Sequence, residues 1–114
     1  MALIVIKLNP EELSDPNLDI RYVLPDLVIE RSGGAAEDSG YDYAGERPDM
    51  YIFLSTESLP QVLSAVLSLV ENETVLGNDL RRAAEVAVND GTSWLGVYPP
   101  GRTFTLPSEV QGHL

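Results

Sequence analysis

"AAEVAVNDGTSWLGVY", residues 83–98, is the stretch on which the fold turns. Its alanines favour a helix. Ala84, Val86 and Val88, however, fall on alternate positions, the period of a strand. Asp90-Gly91 is among the strongest short-range hairpin signals. We therefore expect two strands, about 83–89 and 93–98, with Pro99-Pro100-Gly101 ending the second.

Working back from that hairpin, "SLPQVLSAVLSLVENE" (58–73) has the clearest helical period. Leu59, Val62, Leu63, Val66, Leu67 and Val70 make one apolar stripe, with Ser64, Ser68 and Glu71 opposite. Ser58 and Gln61 have the spacing of a capping box. "VLGND" (75–79) breaks the helix. Before it, "MYIFLST" (50–56) is β-rich and nearly all apolar, as in a central strand. Tyr41 and Tyr43 alternate with Asp42, and "AGERPD" (44–49) has turn composition. Residues 38–56 thus read as a hairpin whose first arm is more exposed, with both tyrosine rings on one face and Asp42 facing water.

"ALIVIKL" (2–8) reads as a buried strand stopped by Asn9-Pro10. Between it and the hairpin lies "SDPNLDIRYVLPDLVIERSGG" (14–34). Asp15-Pro16 resembles an N-cap and first turn, Ile20, Leu24, Leu27 and Ile29 fall near one helical face, and Gly33-Gly34 supplies a stop. Pro25 should kink this helix or restart it, since proline removes a hydrogen bond and crowds the preceding turn. A strand at "DLVIERS" is the alternative.

The resulting order, β-α-β-β-α-β with an added strand, predicts an α+β fold. The specific expectation is a ferredoxin-like sandwich: an antiparallel sheet, two helices on one face and an extra C-terminal strand. An unrelated α+β arrangement stays open. Residues 1–101 form the expected single domain, and the polar tail 102–114 is ordered only if "TFTL" docks. The fold would leave one sheet face open for a dimer, a partner or a small ligand.

Charge is the unusual number. Eighteen acids against seven Lys and Arg give −11. Residues 1–49 hold eleven of the acids and four of the bases. Such a field repels nucleic acid and anionic membrane and attracts basic partners or cations, although net negative charge more commonly serves solubility alone. No apolar run is long enough to span a membrane, and no targeting segment is evident, so a cytoplasmic location is expected. Absence of cysteine excludes disulfides, thiol catalysis and thiolate-ligated metal.

Catalytic motifs are missing. The single histidine, His113, is next to the C-terminus, G-x-S-x-G does not occur, and Lys7 is the sole lysine. Glu37, Asp38, Asp42, Glu46 and Asp49 would suit a hard cation, but "DSGYDYAGERPD" does not match the EF-hand pattern. Neither an enzyme, a metal nor a cofactor is expected. Tyr51 and Phe53 lie on a predicted strand, but −11 opposes their use as a nucleic-acid platform.

What remains is a binding protein. The sharpest reading is an inhibitor of a basic partner such as a nuclease toxin, whose positive cleft an acidic surface could block. Bacterial toxin-immunity proteins are similar in size and acidity, although no motif places the chain in one of their families. The residues expected to carry binding are Asp15, Asp19, Glu37, Asp38, Tyr41, Asp42, Tyr43, Glu46 and Asp49. Tyrosines among charges suit an interface, because rigid rings supply contact area. The alternatives are a small-molecule regulatory module or a structural subunit, either one a homodimer through its sheet.

Overall fold

The first strand, β1 (Ala2–Leu8), is the centre of the molecule, with antiparallel neighbours on both sides. The computed structural model describes residues 2–15, 19–44, 48–89, 91, 93–101, 104–107 and 110. After β1 come a single turn of 3-10 helix at Pro10–Glu12, then α1 (Ile20–Arg31), β2 (Ala36–Ala44), β3 (Asp49–Thr56) and α2 (Leu59–Asn72). A short hairpin, β4 (Thr74–Val75) and β5 (Asn78–Asp79), precedes β6 (Ala84–Asn89) and β7 (Trp94–Tyr98).

The architecture is α+β: five antiparallel strands in the order β2-β3-β1-β6-β7, with two helices. The fifth strand lies outside β6, so the whole-sheet order departs from a four-strand ferredoxin-like pattern. The segment 83–98 is a hairpin, as its period-two pattern predicts.

Strand alternation divides the core into two layers. Ile4, Ile6 and Leu8 of β1, with Met50, Ile52 and Leu54 of β3, meet Ile20, Leu24 and Val28 of α1 and Val62, Val66 and Leu69 of α2. Both helices therefore cover the same face. The intervening residues Val5, Tyr51 and Phe53 point to the other face, where they pack with Leu106 and Val110 and with the partly buried Trp94 and Phe104. The face expected to be open is thus partly closed, because Phe104 and Leu106 of "TFTL" pack there together with Val110, Thr103 lying outside the described residues. Tyr51 and Phe53 are 2% and 0% exposed, so neither offers a stacking surface.

Helix entry differs from the sequence reading. Asp15 is not the cap of α1. Its backbone N–H and carbonyl pair with the side chain of Asn78, both at 2.7 Å, which ties the β1–α1 connection to β5. Asn78 is fully buried, so this pairing satisfies polar groups that would be costly to leave alone. Asp19 stands at the cap position without a side-chain cap bond. Pro25 neither ends nor restarts α1, which runs through it, with Pro25 itself buried against the core. At α2 no capping box forms. The Ser58 N–H donates to Thr56 Oγ1 at 2.8 Å, and Gln61 Nε2 donates instead to the Ser32 carbonyl at the end of α1. "VLGND" is a tight hairpin rather than a plain break, with Leu76 and Gly77 at φ 51° and 80°, the signs a two-residue type I′ turn needs.

Candidate functional site

The site is assembled where the first turn of α1 meets the edge strand β2. β2 pairs with β3 alone among the described strands. Its register shifts between Asp38 and Tyr41, and Gly40 takes φ 99° there, a conformation favourable only to glycine. Beyond the bulge Tyr41 lies opposite Ile52 and Tyr43 opposite Met50, so both rings are on the helix side. Asp42, opposite Tyr51, is on the other side.

Arg21 and Tyr22, at the start of α1, complete a four-residue cluster. Tyr22 and Tyr41 meet edge to face with centroids 5.8 Å apart, and Tyr41 and Tyr43 do so at 5.9 Å. The Arg21 guanidinium carbon lies 4.8 Å from the Tyr22 centroid and 5.0 Å from that of Tyr41, within cation–π range. Arg21 Nη1 donates to Tyr43 Oη at 3.2 Å. Arg21 Nε is shielded from solvent and has no hydrogen-bond partner. The rings therefore shield one edge of the guanidinium from water. Tyr22 remains 48% exposed and caps the assembly.

Proton affinities follow the contacts. Hydrogen bonding to Tyr43, then to Tyr22, holds Arg21 well above its ordinary range. A hydrogen bond with Tyr41, then the neighbouring guanidinium, lowers the Tyr22 phenol, while the same Tyr22 contact raises Tyr41. Tyr22 is thus the first of this pair to ionise.

Acids continue along the same elements. On α1, Asp26 and Glu30 follow Tyr22 at four-residue spacing, all three exposed, so they share one helix face. Asp38 lies on the helix side of β2, and Glu37 on the reverse side. This placement works against helix stability. Like charges at i, i+4 cost about 0.2–0.5 kcal/mol, and Glu30 stands near the negative end of the helix dipole.

The nine residues singled out from the sequence are only partly brought together. Asp19, Asp38, Tyr41 and Tyr43 belong to the helix-side surface. Glu37, Asp42 and Asp49 face the other way. Asp49 is also engaged: Lys7 bridges it at 3.7 Å and Glu85 at 3.2 Å. Burial pushes the Asp49 carboxyl up against the pull of Lys7. Burial opposes the charge of Lys7 too, but its hydrogen bond to Glu85 leads the opposing influences and keeps it above its ordinary value. Asp15 is exposed beside β5, tied to Asn78. Glu46, with Arg47, lies outside the described residues.

Sequence reasoning missed Arg21, Tyr22, Asp26 and Glu30. The signal was present: with Ile20, Leu24 and Val28 inward, a continuous helix puts Tyr22, Asp26 and Glu30 outward. The doubt cast by Pro25 over that helix obscured it. Further along the chain, Glu73 and Asp79 are paired with bases. Arg31 pairs with Glu73, and Arg81 Nη2 with Asp79 at 2.6 Å, the latter holding the Asp79 carboxyl at about 2. A groove of about 540 Å3 near β5 is lined by Glu12, Ser14, Asp79, Arg81 and Arg82. No helix among the described residues is long and apolar enough to cross a membrane. Comparison with protein-family models, with curated proteins and with solved structures gives no match.

Proposed function

We propose that the protein is a small acidic binding protein of the cytoplasm that inhibits a basic protein partner, such as a nuclease toxin, by laying its α1–β2 surface over the partner's positive cleft. The observation that carries this reading is Tyr22: a large ring, 48% exposed, braced by Arg21 and Tyr41, on the helix face it shares with the exposed Asp26 and Glu30. A rigid aromatic centre with a charged border is the anatomy of an interface hot spot. The acids would speed encounter and reject acidic competitors. The role is one of binding rather than catalysis.

We also read β1-α1-β2-β3-α2-β6 as a ferredoxin-like unit extended by β7. Its support is that β3 and β6 flank β1 and that both helices share one face. A second functional reading, a small-molecule regulatory module, is favoured by the groove near β5, although Arg81 there is already committed to Asp79.

The test is isolation of the native partner followed by rapid-mixing kinetics. The expected partner is a basic nuclease whose association slows at least about tenfold between low and high salt. Changing Asp26, Glu30 and Asp38 together to Lys should produce a similar loss at low salt. A neutral partner, or a rate indifferent to both salt and these charges, overturns the reading.

A further inference from the structure

The opposite edge of the sheet has a different chemistry. β7 pairs only with β6 among the described strands, and the chain from Gly91 to Gly101 carries no charged side chain. Leu95, opposite Val88 in the register, points to the helix side, yet it is 64% exposed. A strand edge with unpaired backbone groups and no protecting charge is a template for another strand. We infer that β7 is a self-association edge, and that a second copy of this chain pairs with it antiparallel about a two-fold axis near Leu95.

The charge distribution selects this occupant. Each copy carries −11, so two copies approach favourably only where neither presents acids. At β2, self-pairing would bring Glu37, Asp38 and Asp42 of two copies together. At β7, nothing charged meets. A two-fold axis at Leu95 makes that side chain its own cross-strand neighbour, and directly opposed side chains are the closest pairs on a sheet face. The contact covers Leu95, extends the apolar surface of Val88, and joins the two sheets into one. A Lys- or Arg-rich partner finds no carboxylate at this edge. The inference stands apart from the reading of the α1–β2 surface.

Sedimentation equilibrium on the full chain is the test, from micromolar protein to about 1 mM, the weak end of the affinity scale. The mass should rise from 12.4 kDa towards twice that value, and the rise should strengthen with salt, because salt screens the repulsion between copies. Leu95→Glu should stay at 12.4 kDa at every concentration, while Leu76→Glu, at an exposed leucine in the turn of the separate β4–β5 hairpin, should dimerise like the parent. A parent protein that stays monomeric throughout, or a dimer untouched by Leu95→Glu, overturns the proposal. Should Leu95→Glu fail to fold, amide hydrogen exchange of the parent decides. Slower exchange over Trp94–Tyr98 at high concentration supports the edge, and unchanged exchange there overturns it.

Discussion

The two edges of one sheet face water in opposite ways. β2 is bulged, carries Glu37, Asp38 and Asp42, and is overlaid on the helix side by Arg21 and Tyr22. β7 is bare of charge and shows Leu95 to solvent. Edge strands need protection from unwanted pairing, and charge with bulging is a common device. β2 has both a bulge and charge, and the acids continue onto the exposed face of α1 with Asp26 and Glu30. β7 is bulged between Gly96 and Tyr98 but has no charge at all. The charge contrast between the two edges is one of strand composition: β2 carries three acids, on both of its faces, and β7 carries none. Under the two proposals above, the edges respond to salt with opposite signs: partner association at α1–β2 weakens as salt rises, while self-association at β7 strengthens.

The comparison can be broken in several places. The largest effect should come from Leu106→Ala, which removes a buried tail side chain beneath β1, β3 and β7. A loss of about 2–5 kcal/mol in urea unfolding is expected. If stability is unchanged, the tail is not part of the packing and the face behind β7 is open.

Tyr22→Ala probes the other edge. With the fold intact by circular dichroism, it should weaken binding of a basic partner at least about 30-fold, the mark of a hot-spot residue. An effect below about threefold would move the contact away from α1.

Arg21→Gln sharpens the account of the cluster through pH. The Tyr22 phenol lies below its ordinary value of 10.0 in the folded protein. Its contribution to stability is therefore present above that value and is lost as pH falls through the lowered one. Without the guanidinium, tyrosinate absorbance should appear at higher pH than in the parent. Identical titration curves would show that Arg21 does not govern Tyr22.

The smallest effect is also the most discriminating. Asp26→Lys replaces a like-charge pair with Glu30 by an opposite-charge one, so stability should rise by about 0.4–1 kcal/mol while partner association slows. A gain in stability with no kinetic cost would reduce the acidic stripe to a solvating surface.

Much of this layout could be read along the chain. The hairpin at 83–98 announced itself through alternation and Asp90-Gly91, and α2 through its apolar stripe, because both are local signals. The common face of Tyr41 and Tyr43 was legible for the same reason, since strand alternation holds over three residues even beside a bulge. The reading failed where a distant partner overruled a local cue. Asp15 looked like a cap, but Asn78 took its backbone. Gln61 looked like half of a capping box, but the Ser32 carbonyl offered a stronger use for its amide. Pro25 read as a kink or a restart, but α1 runs through it with the proline ring buried in the core packing.

Element type, element order and net charge were set by the residues themselves, since periodicity, turn chemistry and ionisation act over a few positions. Which acids face the same way, what shields Phe53, and why Arg21 rests on tyrosines rather than in water were decided only on folding. Those outcomes depend on groups twenty to sixty positions apart meeting across a sheet, and no local period encodes which of them will meet.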